Sequence, residues 1–440
     1  MKKTVVIFYS KGYCDQVAIA LKEYYATKQQ EVNAVLIDED DYSNFHFANF
    51  RRNMYKFSAR NTPIFNKFLG FFQDRQYESR IRRSFKEENE GVDKIETQID
   101  AGANQDANKS STLSNLKLRM RQVDVILKRF MPEAIICTTA KSLKRVLVAR
   151  ARLGYNKMKV FSAISDFYAH KGFILKGVDK YLVSNMATKQ ALLAYRIQEE
   201  DVEVVGHPIR NGVEKVYDKE EVMNYLGIEN KELPTLVVAG GRYGSSRIKT
   251  AIKDVIQFAD RANIIVLSDN SQSVRTFVNQ ICSSLKITNN VYQIDSIDDI
   301  AKIYSIANCV ICTPTAYMTF EVIARGIPCV LTSPIDYREK GNFEYLTNNG
   351  FALAGSDSER LIAGLTSIVN NDDDCKEFVD SIKGVFKLND VKKYGDYILS
   401  QTEVNEENKI VSIDDVVLPK RSEILEEEMA DKKTKKKGKK

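Results

Sequence analysis

The strongest constraint on this chain is a rhythm that runs, lapses and starts again. Short β-branched runs alternate with helical patterns, the arrangement that builds parallel βαβ units. In the first half the strand candidates are TVVIFYS, NAVLID, EAIICTT, VFSAIS, KYLVSN and EVVG. Helical stretches such as DQVAIALKEYYATK, with Val17, Ala20, Leu21 and Tyr24 at helical spacing, lie between them. The rhythm lapses into a charged stretch over 211–233. It then restarts with TLVVAGG, NIIVLSD, VYQID, CVICTP, PCVLTSP and GFALAG. The spacing predicts two consecutive α/β domains, 1–212 and 213–395, each with a parallel sheet.

Length agrees, since 440 residues suffice for two or three domains with cores of their own. No apolar run approaches the roughly 20 residues needed to span a bilayer. The apolar stretch after Met1-Lys2-Lys3 is too short for a signal peptide, which needs roughly 7–15 residues. A cytosolic chain with reduced cysteines is therefore expected. Cys309-Val-Ile-Cys312 has the spacing of a redox or metal pair. Within a strand, however, an odd separation sends the two thiols to opposite faces, which predicts buried structural cysteines.

Two regions fit neither sheet. Residues 51–86 hold ten basic side chains, Arg51 and Arg52 first, against two acids. Phe65, Phe68, Leu69 and Phe72 recur among them at i, i+3, i+4 and i+7. Two readings are open: an interfacial amphipathic helix on anionic lipid, or an ordinary helix packed on the first domain. Residues 87–115 are acidic and then low in complexity, as in a disordered loop. Residues 403–440 form an acidic and then lysine-rich tail. The net charge of +6 divides into +8 from 51–86, +7 from Lys432–Lys440 and −9 from the remainder. An acidic body thus carries two basic attachments. No nucleic-acid-binding module accompanies them, so nucleic acid is not an expected partner.

The chemistry concentrates at strand-to-helix turns. LVVAGGRYGSSRIKT is a strand, a turn with Gly240, Gly241 and Gly244, and a helix start. Such a turn holds a phosphate on backbone amides or simply connects two elements. A second turn, Thr313-Pro314-Thr315-Ala316, precedes a helix with Glu321 in its first turns, and the next loop delivers Arg338, Glu339 and Asn342. Asp40-Asp41 and Asp372–Asp374 read as solvated turns, and no acidic pair is placed to hold a cation.

This segment resembles the donor-site signature of family 28 glycosyltransferases, in particular the diacylglycerol glucosyltransferases and monogalactosyldiacylglycerol synthases. Pro314, Glu321, Gly326, Pro328, Pro334, Glu339 and Asn342 fall in register with it. In the first half, SDFYAHKGF, GVDKYLVSN and VGHPIRNG are similar to the family's Asp-Tyr-x-x-His, Val-Asp-Lys-Tyr and Gly-x-Pro-x-Arg elements. The resemblance covers roughly 1–50 and 120–395. It implies the GT-B fold, an α/β architecture of two Rossmann-like domains across a cleft. It also implies a hexose moved from a UDP-sugar to a lipid hydroxyl with inversion, without a metal or other cofactor. Gly240, Gly241, Gly244, Thr315 and Ala316 would hold the diphosphate, Ile297 and its neighbours the uracil, and Glu321 the ribose. Arg338, Glu339 and Asn342 would lie at the sugar. A peripheral enzyme on the inner face of the cell membrane follows.

The chain also departs from that pattern. Lys11-Gly12-Tyr13-Cys14 stands where a glycine-rich acceptor loop ending in histidine belongs, and a neutral Cys14 thiol cannot serve as base. Thr315-Ala316 replaces Gly-Gly, and Tyr337-Arg338 replaces Gly-Gln. Three readings stay open: Asp166 with His170 supplies the base, the acceptor has changed, or the chain is a degenerate relative acting as a nucleotide-sugar- or membrane-binding scaffold. His46 reads as surface and His207 as structural.

Overall fold

The structure is a computed structural model that describes residues 2–10, 15–39, 122–169, 171–240, 248–268, 270–295, 299–334, 337–386 and 390–404. Twelve strands form two six-stranded parallel sheets among these residues. The first contains β1 (Lys3–Tyr9), β2 (Val32–Asp38), β3 (Ala134–Cys137), β4 (Lys159–Ile164), β5 (Lys180–Val183) and β6 (Val202–Val204), in the order β2-β1-β3-β4-β5-β6. The second contains β7 (Thr235–Ala239), β8 (Asn263–Leu267), β9 (Val291–Ile294), β10 (Cys309–Cys312), β11 (Cys329–Thr332) and β12 (Leu353–Gly355), in the order β12-β11-β10-β7-β8-β9. All twelve fall on the runs picked out from sequence. Four helices matter below: α1 (Asp15–Ala26), α2 (Ala316–Ala324), α3 (Tyr337–Asn348) and α4 (Asp390–Ser400).

Each sheet is apolar on both faces, as strands covered by helices on two sides must be. In the first, Val6, Phe8, Ile135 and Val160 join one core while Val5, Ile7, Ile136 and Phe161 join the other. In the second, Val237, Ile265, Val310 and Cys312 face one core, and Leu236, Val238, Ile264, Cys309 and Ile311 face the opposite one. Cys309 and Cys312 therefore point away from each other, as the strand reading requires.

The core holding Val237 and Cys312 does not stop at the second sheet. It takes in Phe167 and Ile209, which belong to the end of the first half. Helix α4 makes the reverse crossing. Although 390–395 lie in the stretch assigned from sequence to the second domain, Tyr394 and Ile398 of α4 sit in the core of the first sheet with Leu21 and Tyr25 of α1. Tyr24 Oη and Lys28 Nζ both donate to Asp396 at 2.6 Å, and Lys3 Nζ donates to the Leu399 carbonyl at 2.7 Å. The local helical pattern does not say which sheet its apolar face will cover, and the aromatic surface of α1 decides it.

Candidate functional site

Both sheets have a point where the winding reverses. In the second sheet the chain leaves β7 towards β8 and β9, and leaves β10 in the opposite direction towards β11 and β12. The carboxyl ends of β7 and β10 thus border the reversal point, the usual ligand position in such sheets. Gly240 follows β7, and its carbonyl accepts a hydrogen bond from Thr313 Oγ1 at 3.4 Å. Thr315 caps α2 from an extended conformation (φ −89°, ψ 131°). A capping threonine normally accepts an amide of the first turn through its hydroxyl. Here no such bond forms, and Thr315 Oγ1 is buried without a hydrogen-bond partner among the described residues. A hydroxyl without a partner among the described residues therefore sits at a helix N-terminus beside Gly240, and the positive end of the helix dipole favours an anion there. Ala316 opens the helix there. At its far end Gly326 (φ 67°) donates to the Ile323 carbonyl at 2.8 Å, a left-handed stop ahead of Pro328.

Glu321 lies farther along α2, only 1% exposed. Arg210 grips it with both branches, Nε to Oε1 and Nη2 to Oε2, each at 2.7 Å. Tyr304 Oη donates to Oε2 at 3.0 Å. Burial works against the charge on Arg210, but the Glu321 charge and hydrogen bonds outweigh it and hold the guanidinium pKa above its ordinary value. Burial, with the Glu321 charge added, pushes the Tyr304 phenol well above its usual range. The carboxylate expected to take ribose hydroxyls is thus held by an arginine from the segment joining the two halves. His207, three residues before Arg210, stacks flat on Phe320 with ring centroids 4.1 Å apart. Burial lowers its pKa to about 3 against the opposing effect of a hydrogen bond to the Ser165 backbone, so the ring is neutral, and its Nδ1 has no partner. This is the structural role the sequence suggested.

Asp166 is 4% exposed and both of its oxygens are engaged. Arg338 Nε and Nη2 meet Oδ2 at 2.6 Å each, and Asn342 Nδ2 donates to Oδ1 at 3.1 Å. Asn342 Oδ1 in turn accepts from the Phe167 amide at 3.0 Å, and its Nδ2 reaches the Pro314 carbonyl at 3.2 Å. Asp166, expected as a catalytic group, thus has both oxygens engaged by side chains of the second half. Arg338 and Asn342, expected at the sugar, contact the first half. Glu339, beside them on α3, is buried.

The first sheet reverses between β1 and β3. Its β1 loop carries Gly12, Tyr13 and Cys14, which lie outside the described residues, as do His170, Gly241, Gly244, Ile297, Arg51, Arg52, Phe65, Phe68, Leu69 and Phe72. So do 87–115 and all of the tail beyond 404. Just past β2, Glu39 is buried, accepting from Thr139 Oγ1 at 2.9 Å. Among the described residues no cluster of three His, Cys, Asp or Glu side chains is arranged to hold a metal, and no helix is long and apolar enough to cross a membrane.

The family model described as "Monogalactosyldiacylglycerol (MGDG) synthase" matches residues 98–209. A "Processive diacylglycerol beta-glucosyltransferase" of Bacillus licheniformis is 23% identical over 288 residues, 66% of this chain and 74% of that protein. The chain is a relative of these glycosyltransferases. Its fold is GT-B: it superposes on MurG from Acinetobacter baumannii with a TM-score of 0.57 at 12% identity, covering 91% of this chain and 100% of that one. The UDP-GlcNAc 2-epimerase from Neisseria meningitidis, bound to UDP-GlcNAc, gives 0.55 at 13% identity, covering 91% and 99%.

Among the side chains that hold Glu321, the sequence does not single out Arg210 or Tyr304 as site residues. Arg210 closes the Gly-x-Pro-x-Arg element and was visible as part of that motif. Its partner is 111 positions away, so nothing local marks the pairing.

Proposed function

We propose that this chain transfers a hexose from a UDP-sugar to a lipid hydroxyl of the diacylglycerol type, with inversion. The observation that carries the reading is the unpartnered Thr315 hydroxyl at the N-terminus of α2, beside Gly240 at the reversal point of the second sheet. A diphosphate seated there accepts from that hydroxyl and lies at the positive end of the helix dipole. As the bond from the sugar anomeric carbon to the phosphate oxygen breaks, negative charge grows on UDP, and donors fixed in advance stabilise it without rearrangement. The relatives' activity supplies the substrate classes: a glucosyl donor and a diacylglycerol acceptor. The lipid oxygen attacks from the opposite face and loses its proton to a base from the first half. We assign that proton to His170, four residues beyond Asp166 in the same segment. The uracil goes to the loop with Ile297, and the basic segment holding Arg51, Arg52 and Phe65 meets anionic lipid on the inner face of the cell membrane.

Glu321 favours a second reading. Its carboxylate is already engaged by Arg210 and Tyr304, which suits a chain that binds a nucleotide-sugar without transferring it. One assay separates the two. Purified protein is incubated with diacylglycerol vesicles and labelled UDP-glucose or UDP-galactose, and the lipid is extracted. Labelled glycolipid supports transfer, while UDP binding without labelled lipid leaves the scaffold.

A further inference from the structure

Helix α3 presents one face to the first half of the molecule. Residues 338, 341, 342 and 345 recur at i, i+3, i+4 and i+7, so they share a stripe. Each meets the short turn Asp166-Phe167-Tyr168 that follows β4. Arg338 holds the Asp166 carboxylate with two contacts of 2.6 Å. Gly341 lies so close to Tyr168 that a Cβ there would stand 3.0 Å from Cδ1 and 3.1 Å from the tyrosine Cβ. Asn342 accepts from the Phe167 amide and donates to Asp166. The Tyr345 ring stacks on Phe167 at 5.3 Å between centroids and 17° between planes. Phe167 is also stacked on Phe320 of α2 at 4.2 Å.

The first half braces the same turn from behind. Ser184 Oγ donates to the Asp166 carbonyl at 3.3 Å and Thr188 Oγ1 to the Phe167 carbonyl at 2.8 Å. The turn's carbonyls are therefore tied to its own half, while its side chains and the Phe167 amide meet the other half.

We infer that this face of α3 is a latch between the two sheets, and that Arg338 and Asn342 are positioning residues for transfer, acting through the Asp166–Tyr168 turn. The inference rests on the transfer reading above but is read by a separate measurement. Asn342 ties the latch to the donor crevice, because the same amide that donates to Asp166 also donates to the Pro314 carbonyl next to Thr315. A shift of the turn therefore moves the acceptor side relative to the diphosphate. Arg338 stands where the resembled glycosyltransferases have glutamine, a residue that makes no ion pair. In this chain the charge is matched by Asp166 across the gap.

The test uses the full chain with Arg338→Gln, Asp166→Asn and the exchange Asp166→Arg with Arg338→Asp. Thermal unfolding establishes that each variant is folded. Small-angle scattering then reads the separation of the halves, UDP titration reads the donor site, and transfer kinetics read kcat and KM. The latch predicts a larger radius of gyration in both single variants, UDP affinity within about twofold of the parent, and kcat lower by about tenfold or more, since small misplacements of reacting groups are costly. The charge exchange should recover a large part of both radius and kcat. Unchanged scattering and kcat in the folded single variants would overturn the latch. So would unchanged scattering with an altered preference among UDP-sugars, which would make Arg338 a sugar contact. A parent protein that binds UDP but transfers nothing defeats the transfer reading, while the scattering comparison still decides the latch.

Discussion

His207 and the Arg210–Glu321 pair show how single residues bind the halves together at a stated cost. His207 titrates near 6.5 when unfolded and near 3 when folded, so between those values the unfolded chain binds more protons. Its contribution is complete above about pH 6.5 and fades as pH falls towards 3, at about 1.4 kcal/mol per pH unit. His207→Phe keeps the stack on Phe320 and removes the proton site. Its stability should fall less steeply than the parent's between pH 6 and 4 in denaturant titrations, and parallel curves would count against the assignment. Arg210→Ala leaves a buried carboxylate without its partner and should cost on the order of 3–5 kcal/mol, whereas Glu321→Gln in the same background should recover part of that loss. Denaturation midpoints of the single and double variants measure both. At this scale the sequence was only partly legible. Glu321 was visible as an acid on the first turns of a helix, but its burial depends on a partner that arrives from another part of the chain.

At the level of elements the strands were the readable part. Continuous runs such as TVVIFY and LVVA bury both faces, and a parallel sheet between helices is the arrangement that needs such runs. Helix partners were less readable, because an amphipathic stripe states that a face is buried and leaves open what buries it. In α4, Gly395 meets Tyr24 so closely that an added Cβ would overlap the ring carbons Cδ1 and Cε1 and lie 3.4 Å from Cε1 of Tyr25. Alanine normally favours a helix interior over glycine by about 1 kcal/mol. Here Gly395→Ala should instead destabilise by about 1–3 kcal/mol, because the Tyr24 ring is anchored by its bond to Asp396 and cannot step aside freely. A chemical denaturation curve decides the sign, and stabilisation by Gly395→Ala would mean that α4 docks less tightly than described. The stripe on α3 has the same lesson. Its spacing is plain in the sequence, yet the turn that Arg338 and Asn342 meet is not.

The whole molecule combines two sheets of the same size, each with a winding reversal at its carboxyl edge. The proposed lipid contact would rest on charge placement rather than on any one side chain: an acidic body carries +8 in 51–86 and +7 in Lys432–Lys440. Replacing the basic residues of 51–86 by alanine should weaken flotation with anionic vesicles, and unchanged flotation would remove that segment from the membrane account. The central claim concerns the donor. A crystal structure of the protein with UDP tests it most directly. The diphosphate should lie at the crevice between β7 and β10, with its oxygens about 3 Å from Thr315 Oγ1 and the first amides of α2. UDP bound elsewhere, or that crevice left empty at saturating UDP, would contradict the account.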